Sequence, residues 1–149
     1  MTKIGIATIF LCFLLTAMAS AVDSYLCVGD LATGFKYNKT RDKWEITKFN
    51  VDDSKYVVSR SKLENFVWEI KEIGVSKPSS WCKEDFNEHG HLYCQGLRHF
   101  IMNRENLRFI MADMIGYFFG TLKDEKGKII IKEGDGSPNI EIGKCSPLP

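Results

Sequence analysis

The chain has 149 residues, of which 44% are hydrophobic, with 20 Lys and Arg against 19 Asp and Glu. This length predicts one globular domain. A formal net charge of +1 argues against nucleic acid or an anionic membrane surface as a partner, because both attract proteins that carry a basic excess.

The first 21 residues have the layout of a secretory signal. A lysine precedes an apolar run over residues 4–16, and small residues follow, which places cleavage after Ala19 or Ala21. The run is short for a bilayer-spanning helix, which needs about 20 residues. We therefore expect a signal peptide over residues 1–21, a single β-rich domain over residues 22–149, no membrane span after cleavage, and a secreted or periplasmic location.

Cleavage after Ala21 leaves 128 of the 149 residues, with 19 basic and 19 acidic side chains and four of the five cysteines. An even number of cysteines in an exported chain predicts disulfide bonds. Four cysteines allow three pairings. We favour Cys82–Cys94, which closes a short loop, and Cys27–Cys145, which joins the two ends of the domain, because chain termini often lie close together in compact folds.

Two alternating runs, residues 34–38 and 43–49, flank a short polar link and predict a β-hairpin. Alternation places one apolar set on a single face, which we expect to be buried as cross-strand neighbours. The set is Phe35, Tyr37, Trp44 and Ile46. Asn38 begins a glycosylation sequon on the turn.

Further short β-rich stretches follow at regular spacing, separated by turns rich in Gly, Pro, Asp and Ser. They cover residues 55–60, 65–73, 92–102, 128–132 and 139–143. Residues 106–119 are ambiguous, because their apolar positions fit both helical spacing and alternation. We favour a strand, since the neighbouring segments are strands and residues 103–106 suit a hairpin turn.

About eight short strands with hairpin-length links predict a mainly β fold. We expect an antiparallel meander that forms a small barrel or sandwich, stabilised by disulfides. The alternative is an α+β fold with one helix near residues 106–119. A closed sheet would bring the first and last strands side by side, which a Cys27–Cys145 bond requires.

His89, His91 and Cys94 are metal-ligand residue types at close spacing. Alternate residues on a strand share a face, so the two imidazoles could reach one zinc ion. The carboxylates or imidazole that could complete such a site are Glu84, Asp85, Glu88 and His99. A disulfide at Cys94 removes its thiolate, so we favour a polar, disulfide-closed loop and assign no catalytic residue, no metal and no cofactor. His89 and His91 remain a weak alternative as a metal site.

Five aromatic residues could line an apolar cavity if the sheet closes on itself. They are Phe35, Tyr37, Trp44, Trp68 and Tyr117. The competing interpretation is a filled core, with no room for a ligand.

Both ends of the domain show a resemblance. ATGFKY at residues 32–37, then KW at 43–44 and Phe49, together with IEIGKCSPL at residues 140–148, are similar to the ends of a group of small uncharacterised secreted bacterial proteins. The resemblance implies export from a bacterial cell and a β-rich fold. It implies no activity and no catalytic residues.

The sequence therefore predicts a non-enzymatic binding module, whose partner is a small apolar ligand or another protein. The alternative is a small secreted hydrolase or metal-dependent enzyme with its site at His89 and His91. The two hypotheses differ in geometry, since an enzyme site requires these imidazoles to converge with a carboxylate in a concave pocket.

Overall fold

A computed structural model describes residues 23–117 and 120–149. The expected signal peptide lies outside the described residues. Within them the regular structure is entirely β, and no helix there reaches the length and apolarity that crossing a bilayer demands. The strands are β1 (Ser24–Asn38), β2 (Lys43–Phe49), β3 (Lys55–Arg60), β4 (Trp68–Glu72), β5 (Ser80–Cys82), β6 (His91–Gly96), β7 (His99–Asn103), β8 (Arg108–Asp113), β9 (Leu122–Lys123), β10 (Ile129–Ile131) and β11 (Asn139–Pro147).

Eight of these strands close into an antiparallel barrel. Neighbouring strands follow the order β11, β8, β7, β6, β5, β4, β3, β1, and an additional pairing of β1 with β11 closes the ring. Strand β2 is a ninth strand of this sheet and pairs with residues 32–38 of β1. Strands β9 and β10 form a separate two-stranded sheet. The predicted antiparallel β fold is confirmed, in its barrel form.

Both expected disulfides are present, each between facing residues of neighbouring strands. Cys27 of β1 lies opposite Cys145 of β11, with their Cα atoms 3.9 Å apart. Cys82 of β5 is bonded to Cys94 of β6 across a Cα separation of 4.0 Å. All four are buried. Two such bonds indicate an oxidising, non-cytoplasmic environment.

Strand alternation places one apolar set inside the barrel. Its largest fully buried members are Trp68, Tyr56, Phe100, Ile70 and Leu92. Burying each large apolar side chain contributes about 1.5–3 kcal/mol. The interior is therefore a packed core.

The ambiguous segment is a strand in its middle part, whereas residues 115–117 form a turn. β8 covers Arg108–Asp113 and pairs with β7 and β11, and residues 104–107 form the turn before it. The favoured strand is confirmed and no helix occurs in the described part of residues 106–119; Phe118 and Phe119 lie outside it.

The predicted β1–β2 hairpin is confirmed, with Phe35 opposite Ile46 and Tyr37 opposite Trp44. The expectation that this face is buried is wrong for Phe35 and Ile46, whereas Tyr37 and Trp44 are half-buried. Phe35 is 49% exposed and Ile46 is 81% exposed. The reason is topological, because β2 extends the sheet beyond the barrel wall, where no core lies against it.

One acid lies inside the barrel. Glu141 is 5% exposed, and its Oε2 accepts hydrogen bonds from Tyr56 Oη (2.9 Å) and Ser54 Oγ (3.3 Å). Its Oε1 has no hydrogen-bond partner among the described residues and lies against Gly29, where a Cβ would be 2.3 Å away. Burial raises the pKa of Glu141, although the hydrogen bonds from Tyr56 and Ser54 and the charge of Arg98 act in the opposite direction.

The two disulfides should contribute different amounts to the free energy of unfolding. Replacing Cys82 and Cys94 with alanine should lower the free energy of unfolding by about 3 kcal/mol, and replacing Cys27 and Cys145 by about 5 kcal/mol, because the second bond closes the longer loop. The sequence separations are 12 and 118 residues. Urea unfolding of both double variants measures the difference. Equal losses would show that loop closure is not what these bonds contribute.

The buried acid predicts a pH dependence. The folded state holds a proton on Glu141 above the ordinary glutamate pKa of 4.5, where the unfolded chain releases it, so stability should fall as the pH rises through the raised pKa. Glu141→Gln should flatten this dependence, because the amide does not titrate. Urea unfolding between about pH 5 and pH 8 tests it.

Glu125→Gln is the control for this measurement, since Glu125 is exposed in the turn between β9 and β10 and its removal should leave the pH profile unchanged. A Glu141→Gln variant that keeps the parent slope would contradict the assignment. Glu72, which also raises the pKa of Glu141, would then be the next group to replace.

Candidate functional site

An apolar cleft lies where the β1–β2 hairpin leaves the barrel. Phe35, Trp44 and Ile46 line one side, and Met114, Tyr117 and Pro138 line the other. Its volume is about 600 Å³, within the 300–1,000 Å³ typical of small-molecule sites. We call this the aromatic cleft.

The two sides of the aromatic cleft are held together by close backbone contacts. The N–H of Phe35 donates to the carbonyl of Pro138 at 2.8 Å. Gly116 has a φ of +112°, and a Cβ there would lie 2.8 Å from the backbone of Gly136. Only glycine permits both the backbone angle and the approach, so the turn carrying Met114 and Tyr117 rests directly on the loop that leads to Pro138.

Trp44 is the centre of an aromatic cluster. Its ring packs edge-on against Tyr37 (centroids 5.3 Å apart) and against Tyr117 (5.6 Å). The indole Nε1 donates to Glu133 Oε1 at 3.1 Å. The polar atom of Trp44 is therefore satisfied, and its ring remains available as an apolar surface.

Tyr37 closes the tip of the hairpin. Its hydroxyl donates to Asp42, and this hydrogen bond is the main cause that raises the pKa of Tyr37 to about 12. Beside it, Asn38 Oδ1 accepts from the N–H groups of Thr40 and Arg41, while its amide nitrogen donates to Glu45. The sequon asparagine thus shapes the turn that presents the cleft.

The structure separates the five aromatic residues expected to share a cavity. Trp68 is 1% exposed in the barrel core. Phe35, Trp44 and Tyr117 meet outside the barrel, and Tyr37 packs on Trp44. An apolar cleft thus forms from three of the expected residues, but on the outside of the sheet.

The sequence did not predict three of the residues that line the aromatic cleft: Ile46, Met114 and Pro138. Alternation marked Ile46 as a neighbour of Phe35, which was the available signal for it. Met114 and Pro138 approach the hairpin through contacts distant in sequence, for which the chain carries no local pattern.

His91 lines a pocket of about 340 Å³ together with Glu84 and Asp85, whereas His89 is not among the residues that line it. The ring centroids of the two histidines are 6.5 Å apart. His89 Nε2 lies 3.4 Å from Glu88 Oε1 on the exposed surface, whereas His91 faces Tyr93. Cys94 is disulfide-bonded, and no group of three or more His, Cys, Asp or Glu side chains in the described ranges is arranged to hold a metal ion.

The histidine loop between β5 and β6 is anchored by Asp85. Its Oδ1 accepts from Trp68 Nε1 and from the N–H of Phe86, both at 2.8 Å, and its Oδ2 accepts from Arg60 at 2.9 Å. Burial opposes the charged form, but these hydrogen bonds outweigh it and lower the pKa of Asp85. Asp85 therefore has a structural role in place of the metal-ligand role considered for it.

Comparison of the chain with protein-family models, with curated proteins and with solved structures gives no match. The chemistry of the clefts is therefore the basis for a function.

Asp85→Asn should lower the free energy of unfolding by about 1 kcal/mol at neutral pH, because the amide keeps an oxygen for Trp68 but loses the charge that faces Arg60. Below the lowered pKa the carboxyl is itself protonated, so the parent and the variant should become similarly stable there. Urea unfolding at neutral and acidic pH measures both effects. Glu84→Gln, the neighbouring exposed carboxylate, is the control, and an equal loss in that variant would show that the effect is unspecific.

Proposed function

We propose that this domain is a non-enzymatic binding module and that the aromatic cleft holds a small apolar ligand. The observation that carries the proposal is the exposure of the cleft lining. Phe35, Ile46, Met114 and Tyr117 are all exposed large apolar side chains that gather around one concave volume. Contiguous exposed apolar surface of this kind marks interaction sites.

The cleft also has the rigidity that a ligand site needs. Trp44 is fixed by Glu133 and by two aromatic neighbours, and the opposite side is tied to β1 through Pro138. Fixed walls reduce the ordering that binding requires. A protein partner would use the same cleft by inserting an apolar side chain, but the volume favours a whole small molecule.

The barrel interior is not a candidate ligand site. Core side chains such as Trp68, Tyr56 and Phe100 occupy it. The alternative of a hydrolase or metal enzyme has weaker support, because His91 shares a pocket with Glu84 and Asp85 but His89 lies outside it, exposed beside Glu88.

We also place the domain outside the cytoplasm, as a secreted or periplasmic protein. The two disulfides support a non-cytoplasmic environment, and the expected signal peptide over residues 1–21 specifies export. The resemblance of both ends of the domain to small secreted bacterial proteins agrees with this location and remains a prediction.

Titration with the neutral fluorescent probe N-phenylnaphthylamine tests the proposal. The parent protein should bind it saturably, and Ile46→Ser and Met114→Ser should each weaken binding roughly fivefold, since each removes about 1 kcal/mol of apolar contact. Both side chains are exposed, so the thermal midpoint should not change.

Leu97→Ser is the matched control. Leu97 is an equally exposed apolar residue in the turn between β6 and β7 and lies outside the aromatic cleft. Binding that survives Ile46→Ser and Met114→Ser, or that falls equally in Leu97→Ser, would reject the cleft as the ligand site.

A further inference from the structure

A second apolar feature crosses the outside of the barrel, separate from the aromatic cleft. Five side chains, one from each of five neighbouring strands, stand in successive register positions. They are Tyr93 of β6, Ile101 of β7, Ile110 of β8, Ile142 of β11 and Leu31 of β1. We call them the apolar row.

Every member of the apolar row faces solvent, with exposures between 42% and 67%. Adjacent strands are about 4.8 Å apart, so the row is about 19 Å long. Single exposed apolar residues are ordinary, whereas an unbroken row of five indicates an interaction surface.

The next row on the same outer face is polar and basic from β6 to β11 and ends at Val28 on β1. Arg108 pairs with Asn103 on β7 and with Lys144 on β11, and Asn103 pairs with His91. Arg108 and Lys144 thus stand directly opposite each other, an arrangement that repels. Among the described residues neither has a carboxylate at salt-bridge distance.

A groove of about 560 Å³ joins the two rows. Tyr93, Ile101, Ile110 and Ile142 form its apolar part, and Arg108 and Lys144 lie along its basic edge. Asp30 is the one acidic residue in the lining. The groove shares no lining residue with the aromatic cleft.

We infer that this groove binds an anionic amphiphile, a single-chain carboxylate whose acid group lies between Arg108 and Lys144 and whose chain lies along the apolar row. Charge complementarity carries the inference, because a carboxylate supplies the anion that the opposed cations lack. The row supplies contact for an extended aliphatic chain.

Size and shape favour a small molecule over the other occupants. A stable protein interface uses about 20–30 residues on each side, which greatly exceeds five side chains and a basic edge. The row covers five of the eight barrel strands, so it curves around the barrel and cannot lie flat on a bilayer. A free, monomeric amphiphile can follow that curve.

Titration of the full chain with dansyl-undecanoate below its micellar concentration, and with the methyl ester of the same probe, tests the inference. The carboxylate should bind several-fold more tightly than the ester. Lys144→Gln and Arg108→Gln should each weaken carboxylate binding about fivefold and leave ester binding unchanged. Ile110→Ser should weaken both.

Two further variants distinguish the effect of charge at the groove from loss of folding and from a change in net charge elsewhere on the protein. Asp30→Asn removes the acid in the lining and should tighten carboxylate binding about twofold, a gain that loss of folding cannot produce. Lys48→Gln makes the same charge change on β2, outside the groove, and should have no effect.

Three outcomes would overturn the inference. One is equal affinity for the carboxylate and the ester, and another is an equal loss in Lys48→Gln and Lys144→Gln. The third is co-flotation with phosphatidylglycerol vesicles without binding of the monomeric probe, which would assign the surface to a membrane. Ile46→Ser weakens only the aromatic cleft and should leave the preference for the carboxylate over the ester intact, so failure here is distinct from failure at the aromatic cleft.

Discussion

The pairing of the first strand with the last is the constraint on which the fold depends. β1 and β11 make the most extensive contact in the barrel, running from Tyr25 opposite Pro147 to Gly34 opposite Asn139. Without it the barrel would be an open sheet with two exposed edges and a core open to water. The Cys27–Cys145 bond lies inside this pairing, so a covalent link is placed where closing the ring requires the most distant segments of the chain to meet.

Closure also explains why the aromatic cleft and the apolar row are on the outside. Eight strands enclose an interior just wide enough for side chains, and Trp68, Tyr56 and Phe100 occupy it. Apolar side chains that alternate outward therefore remain at the surface. Two groups of them are contiguous, one at the hairpin beyond the barrel wall and one across the strands from β6 to β1.

Local sequence patterns predicted much of the fold. Alternation identified the hairpin and the residues that share one of its faces. The even cysteine count, the short loop between Cys82 and Cys94 and the position of Cys27 and Cys145 at the two ends of the domain favoured the two disulfides that are present. The strand over Arg108–Asp113 was favoured only from its neighbours, because a nearly uniform apolar segment matches both periodicities. The outward direction of Phe35 and Ile46 was not predictable, because it depends on whether a second layer covers the hairpin, and that follows from how the barrel closes.

The candidate sites were harder to predict from the sequence than the fold was. Met114 and Pro138 join the aromatic cleft through long-range contacts, and the apolar row exists only once five strands are in register. Asp85 illustrates the same limit. A carboxylate in a polar loop is usually solvated, and nothing local indicates that Trp68, 17 residues away, donates to it.

The chain between β8 and β11 contributes to the aromatic cleft and not to the barrel wall, as far as the structure describes it. These strands are hydrogen-bonded neighbours, although residues 114–138 come between them in the chain. The described residues of that segment, 114–117 and 120–138, contribute no strand to the closed sheet. They nevertheless supply Met114, Tyr117 and Pro138, half of the aromatic cleft. Insertions, deletions and substitutions in this segment can change the shape of the aromatic cleft while the ring, its disulfides and its core remain the same, so the cleft is the surface whose shape is free to diverge.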